Sequence, residues 1–406
     1  MNVQALDRLL TMFEYDCERV SAVGEAFLGT HVSRGEVRAR AERLRRYQAQ
    51  VAVLLENPGF KQRTPEWYEA RKSIVTASEL LQATGSRSAQ RQFLKRKCFP
   101  GTGFSLAGVP AVRHGVIYED VACRAYEARN GVKVHEFGLL PNRRIECFGA
   151  SPDGICSNGI MLEIKCVYSR EIVDGYVKPE YYSQMQGQMH TAELEECDFL
   201  ECKITEYESE AAFAADASPD EAARGTALTE KGMEKGAITF HYDDEEGKEV
   251  YGYSPYETST EGVVAWAAAQ EEFKTVVFYK MEVYNCQRIA YDPAFMEETE
   301  PKIRDSFALF TKYRDNPDLI DVDYPESARK APRTQNTLAS FAFVGIEPPS
   351  GGGSATETTR APATSQVGSG NGPRSALLGN GTGSGARAFA GRTRFAPTKL
   401  KSFAFV

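Results

Sequence analysis

The stretch SPDGICSNGIMLEIKC, Ser151 to Cys166, places an aspartate, a glutamate and a lysine where one β-hairpin could gather them. Asn158-Gly159 is a dipeptide that two-residue hairpin turns favour, because both turn positions need positive φ. A turn there predicts Asp153 across from Glu163 to within about one residue of register, with Pro152 marking an edge or a bulge. Side chains alternate along a strand, so Leu162, Ile164 and Cys166 share one face and Met161, Glu163 and Lys165 the other. One face reads as core and the other as working surface. Lys165 then stands one pleat from Glu163, about 6.6–6.8 Å along the strand.

Two carboxylates so close repel, and one would keep its proton unless a divalent cation sat between them. Mg²⁺ suits such a place because it takes carboxylate oxygens and water in an octahedron and leaves positions for substrate phosphate. The lysine adds a positive hydrogen-bond donor that orients an attacking water and favours its deprotonation. Phosphodiester hydrolysis needs this combination, since charge builds on the phosphoryl and leaving oxygens as water attacks.

Composition narrows the setting. The chain has 406 residues and a formal net charge of −8, which excludes a protein that coats nucleic acid by bulk electrostatics and leaves only a local patch. Nine cysteines with no CxxC pair suit free thiols in a reducing compartment. The N-terminus, MNVQALDRLL, lacks a basic region followed by an apolar run, and no long apolar stretch follows, so the expected location is intracellular, with no membrane partner. Host nucleus or a cytoplasmic viral factory would fit.

The elements that must position the hairpin can be read along the chain. Residues 1–60 form a helical N-terminal appendage, in which Arg34 to Arg46 reads as a solvated or a phosphate-facing helix face. Thr64-Pro65 opens a helix, and Thr76 or Ser78 caps a second start. The basic run Arg87 to Lys97 reads as a loop or helix reaching towards DNA. A helix over His114 to Asn130 closes at Gly131, with Val121, Ala122, Ala125 and Tyr126 on its apolar side. Strands follow in VKVHEFGLL, RIECFGASPDG and GIMLEIKC, then a helix over Tyr181 to Glu195 and a strand over Asp198 to Tyr207. An Ala-rich, acidic insertion spans about 208–262 and holds a hairpin around Asp243 to Glu246, whose acidic run is a solvated turn. A strand over Thr275 to Tyr291 and a helix opening at Asp292-Pro293 complete an α/β core over 61–320. Residues 321–406 read as a flexible, weakly cationic tail, rich in Pro, Gly, Ser and Thr.

Four ordered blocks, WYEARKSIVTASEL, HGVIYEDVACRAYE, SPDGICSNGIMLEIKC and YYSQMQGQM, resemble the PD-(D/E)XK nucleases of the phage lambda exonuclease or YqaJ-like viral recombinase family. The resemblance implies a restriction-endonuclease-like core, a mixed central sheet flanked by helices. It implies that Asp153, Glu163 and Glu119, with the main-chain carbonyl of Ile164, ligate Mg²⁺, for which Mn²⁺ would substitute, and that Lys165 positions the nucleophilic water. Arg71 and Ser78 would hold a 5′-terminal phosphate. Gln184 would contact the site, although Gln186 and Gln188 stand near enough for that role to slip to them. His114 would steady Glu119 or donate to DNA, or simply pack. The implied activity is 5′-to-3′ removal of mononucleotides from double-stranded DNA ends, with a single-strand annealing protein as partner and a homo-oligomer as the assembled form.

Two other readings stand beside it. A Cas4-like repair nuclease would need a late group of three closely spaced cysteines, whereas only Cys286 lies beyond Cys202. A repair adaptor would recruit a sliding clamp or other partner through the tail, where LASFAFV returns as LKSFAFV; Leu338, Phe341, Phe343, Leu400, Phe403 and Phe405 are its docking residues.

Overall fold

Caps and turns set where the elements begin. The computed structural model describes residues 34–99, 109–243, 248–270 and 275–325, and the backbone of 402–403. Helix α1, Arg34–Glu56, buries Ala41, Leu44, Tyr47, Val51 and Leu54 at helical spacing. Thr64 caps α2, Pro65–Lys72, by accepting from the Trp67 N–H at 3.3 Å. Strand β1, Val75–Thr76, runs into a 3-10 turn, Ala77–Glu79, where the Glu79 carboxylate accepts from both the N–H and the hydroxyl of Thr76. Helices α3, Leu80–Thr84, α4, Arg87–Cys98, and α5, Pro110–Asn130, follow, and Gly131 ends α5 at φ +60.

Next come β2, Val134–His135, β3, Leu140–Pro141, β4, Phe148–Ala150, β5, Gly154–Cys156, and β6, Met161–Cys166. Helix α6, Pro179–Ala192, crosses to β7, Glu196–Glu206. The remaining elements are α7, Glu210–Ala215, α8, Glu221–Arg224, β8, Lys235–Asp243, β9, Lys248–Tyr253, α9, Thr260–Ala268, β10, Thr275–Ala290, α10, Pro293–Arg314, α11, Leu319–Asp323, and β11, Ser402–Phe403. The main sheet runs β11-β9-β8-β10-β7-β6-β5-β2, and β1-β4-β3 make a smaller one. β6 and β7 pair in parallel, as a crossover through α6 requires, and the other pairs of the main sheet are antiparallel. The mixed sheet flanked by helices is the α/β architecture expected.

Several local expectations change. β6 does not divide into a core face and a working face: Met161 and Glu163 are as buried as Leu162. Its centre is parallel to β7 and covered on both sides, Leu162 packing with Ile117 and Tyr118 of α5, and Met161 with Met185 and Met189 of α6. The segment 208–262 supplies β8 and β9, which carry the main sheet past β10. Arg129 to Glu234 at 2.5 Å, Arg113 to Glu249 at 2.9 Å and Tyr253 Oη to the Ile117 carbonyl at 2.9 Å fasten it to α5. The hairpin ladder reaches Asp243↔Lys248, and residues 244–247 lie outside the described ones.

Several basic side chains of both helices pair with acids of the same chain. Arg40 pairs with Glu196 at 2.7 Å and Arg46 with Glu195 at 4.0 Å. Arg91 and Lys95 pair with Asp321 at 2.7 and 2.5 Å, and Lys97 with Glu79 at 2.9 Å. The eight cysteines among the described residues are free thiols. No helix among them is long and apolar enough to cross a membrane. Of the tail peptides, Leu338, Phe341, Phe343, Leu400 and Phe405 lie outside the described residues, while the backbone of Ser402 and Phe403 pairs with Val250 and Glu249 on β9.

Gly159 joins the hairpin to α1. It sits at φ +79, and a Cβ there would lie 2.2 Å from Tyr47 Cβ. Gly159→Ala therefore strains the turn and lifts α1, and is expected to lower stability by about 2–3 kcal/mol in urea unfolding; an unchanged midpoint would contradict this contact.

Candidate active site

The hairpin sets the register of the site. β5 meets β6 at Gly154↔Leu162 and Ile155↔Met161, so the next pair in the same ladder is Asp153 opposite Glu163. Asp153 Oδ2 accepts from the Ile164 N–H at 2.7 Å, which fixes its carboxylate over β6. The Gly159 N–H closes the turn on the Cys156 carbonyl at 2.8 Å, and the Cys156 N–H meets the Ile160 carbonyl at 2.8 Å, so the loop has three residues, Ser157 to Gly159, with only Gly159 at positive φ, rather than the two-residue Asn158-Gly159 turn expected.

Glu163 has no exposed surface, and three side chains meet its carboxylate. Lys165 Nζ and Gln184 Nε2, the latter at 2.7 Å, donate to Oε1, and Gln188 Nε2 donates to Oε2 at 2.8 Å. Gln184 and Gln188 lie four apart on α6 and so share a face, whereas Gln186 turns away to the Ala290 carbonyl at 3.0 Å and the Asp292 N–H at 2.7 Å. The i, i+4 spacing was the sequence signal for Gln188. Gly187 lets α6 come close: a Cβ there would meet Phe148, Ala77 and Leu80 at 3.0–3.1 Å.

Glu119, on α5, is reached by a residue that spacing did not single out. Arg63 Nη2 donates to Glu119 Oε2 at 3.0 Å. Arg63 lies in the turn before α2, and nothing in its local sequence announces a partner on α5. Burial and then the Asp153 charge push the carboxyls of both Glu119 and Glu163 up, Glu163 to about 7. Burial disfavours the Lys165 ammonium, but the charges of Glu163 and Asp153 outweigh it and hold the group cationic. His114 packs between Tyr118 and Tyr168, ring centroids 4.6 and 5.4 Å away, and its Nε2 has no hydrogen-bond partner. Burial lowers its pKa, which favours the neutral ring.

Among the described residues no three His, Cys, Asp or Glu side chains stand together as a finished metal cluster. The donor chemistry nevertheless fits a hard divalent ion. Asp153, Glu119 and Glu163 offer oxygen only, and Asp153 stands near enough to raise the other two. A divalent charge would relieve that repulsion.

Arg71 and Ser78 stand side by side at the start of the 3-10 turn. Arg71 Nη2 donates to Ser78 Oγ at 3.1 Å, and its guanidinium lies over the Trp67 ring at 4.3 Å. Lys97 Nζ holds the Arg71 and Ile74 carbonyls at 2.5 and 2.7 Å. Trp67 Nε1 donates to Ser151 Oγ at 2.9 Å and Gln62 Nε2 to the Pro152 carbonyl at 2.9 Å, so the arginine's helix is tied to the strand end that carries Asp153.

The strand-borne acids, the lysine, the helix-borne glutamate and the arginine–serine pair all fall within one matched segment, since the model of the YqaJ-like viral recombinase domain covers residues 66–195. That segment is similar to the YqaJ-like viral recombinase domain. Uncharacterized protein R354 of Acanthamoeba polyphaga mimivirus is 29% identical over 343 residues, covering 74% of this chain. This chain spans 61% of that relative's length. Among solved structures, the alkaline exonuclease LHK-Exo of Laribacter hongkongensis is similar at 22% identity, over 64% of this chain and 99% of its own, with a TM-score of 0.38. A phage-related exonuclease of Haemophilus somnus 129PT is similar at 15% identity, over 60% of this chain and 94% of its own, with a TM-score of 0.32. At such TM-scores the superpositions are loose.

The raised carboxyls leave a signature in stability. Carboxyls raised on folding bind protons that the unfolded chain has released, so stability in EDTA falls as pH rises through about 7. Asp153→Asn keeps an acceptor for the Ile164 N–H and removes the charge that raises both glutamates. It is expected to stabilise the protein at pH 8 in EDTA by about 1 kcal/mol, with a smaller gain at pH 5.5. A loss of stability at pH 8 would contradict the repulsion inferred here.

Proposed function

We propose that this protein is a divalent-metal-dependent deoxyribonuclease that degrades double-stranded DNA from its ends, 5′ to 3′, with Mg²⁺ as cofactor. One observation carries it: the hairpin register that faces Asp153 with Glu163 while Lys165 touches the same glutamate. The carboxylates of Asp153, Glu119 and Glu163 and the Ile164 carbonyl would hold the ion, which when bound supplies a Lewis acid and a more acidic water. Lys165, kept cationic, orients the attacking water through a hydrogen bond and offsets charge growing on the phosphoryl oxygens. Gln184 and Gln188 fix Glu163 so that its carboxylate keeps one orientation. The Arg71 guanidinium offers a fork to a phosphate, and Ser78 adds a hydroxyl beside it. A terminal 5′-phosphate held there, with Asp153 tied to the same helix, would set the cut one nucleotide from the end and leave a 3′ single strand.

That product suits recombination or end repair, as does the mimivirus source of the relative. A single-strand annealing protein is the partner it calls for, a homo-oligomer around the duplex is the form that would retain DNA, and the tail peptides would recruit a clamp or other partner in addition.

Linear duplex with 5′-phosphate, linear duplex with 5′-hydroxyl and covalently closed circles separate this from a non-catalytic role. With Mg²⁺ or Mn²⁺, the phosphorylated linear DNA is expected to be degraded and the circle spared. Lys165→Ala should lower the rate by at least about 10²-fold while DNA binding persists. Arg71→Ala should erase the advantage of the 5′-phosphate over the 5′-hydroxyl. Absence of hydrolysis with every divalent ion, or equal cutting of circle and linear DNA, would overturn the assignment.

A further inference from the structure

Arg63 adopts φ +66, a backbone region that costs a side-chain-bearing residue about 1 kcal/mol or more. Among the described residues one other non-glycine, Glu193, has positive φ, and it caps the C-terminus of α6, where that conformation is ordinary. Arg63 ends no helix. Its conformation is imposed from both sides: Gln62 Nε2 is anchored on the Phe137 and Pro152 carbonyls, both at 2.9 Å, and Thr64 Oγ1 donates to the Lys61 carbonyl at 2.9 Å while capping α2. The strained turn carries the guanidinium to Glu119 Oε2, at 3.0 Å. The pair is part-buried, with the Arg63 side chain 23% and that of Glu119 35% exposed.

We infer that Arg63 is a placeholder cation, which holds the Glu119 carboxylate in position until a divalent ion takes over that oxygen, and then passes to a DNA phosphate. This rests on the assignment of Glu119 as a metal ligand. Arg63 and the ion compete for one anion, so the arginine weakens metal binding when DNA is absent. A DNA phosphate that draws the guanidinium away removes the competitor, so DNA and metal strengthen each other's binding, by equal factors as linkage requires. Arg63 is thereby a positioning residue that couples loading of the ion to the presence of substrate.

Calorimetric titration with Mn²⁺ alone tests this on the full chain, comparing wild type with Arg63→Gln, Arg63→Gly and Arg63→Lys. Arg63→Gln is expected to bind Mn²⁺ about fivefold more tightly, the loss of a part-exposed ion pair, and Arg63→Lys to stay near wild type. Arg63→Gly, which also relieves the turn, should match the tighter binding and unfold at higher urea than Arg63→Gln, so it serves if the glutamine variant folds poorly. A second arm measures affinity for a short duplex with and without Ca²⁺: metal is expected to enhance binding by wild type, and that enhancement should shrink severalfold in Arg63→Gln and Arg63→Gly. Unchanged or weaker Mn²⁺ binding in these variants, or an undiminished enhancement, would overturn the placeholder role while leaving the nuclease assignment intact. Failure of the wild type itself to bind Mn²⁺ or to cleave DNA would instead strike the assignment.

Discussion

A carboxylate without exposed surface governs the site. Glu163 lies at the middle of the main sheet, where an unpaired charge would be costly, so its environment must supply positive charge or donors on every side. One ammonium and two amides do so. Asp153 then adds a second negative charge opposite, held by a backbone N–H of the same strand. The result is a hairpin end that gathers like charges, a repulsion that a divalent cation would relieve.

The remainder of the architecture keeps that hairpin in place. Helix α1 lies against its turn through Tyr47 and Gly159, and α6 covers one face of β6 with the two glutamines that reach Glu163. Gly187 brings α6 down on the 3-10 turn, so the helix that orients the glutamate also packs under the residues proposed to take phosphate. On the other face α5 delivers Glu119 and is clamped from outside by β8 and β9. A segment that looks like an interruption in the sequence thus widens the sheet and braces the helix of the third acid.

The hairpin, the caps at Thr64 and Asp292 and the close of α5 at Gly131 were legible because each depends on residues near one another in sequence. The same locality made Asp153, Glu163 and Lys165 recognisable as a group. What depended on tertiary placement was not legible. Alternation along IMLEIKC could not reveal that both faces of β6 are covered, since a strand in a parallel pair hides the polar face that alternation usually exposes. Basic runs on α1 and α4 suggested phosphate, but their acidic partners, Glu196 and Asp321, are distant in the chain. The Arg63–Glu119 pair was invisible for the same reason, compounded by a backbone conformation that residue type alone would not suggest.

On the proposed function, Asp153, Glu119 and Glu163 serve one divalent ion. Anomalous diffraction from crystals soaked in Mn²⁺ tests it most directly. A single strong peak is expected about 2.0–2.3 Å from oxygens of Asp153 and Glu119, next to Glu163 and the Ile164 carbonyl, with the Arg63 guanidinium displaced from Glu119. No peak among these residues, or a peak at carboxylates elsewhere, would contradict it.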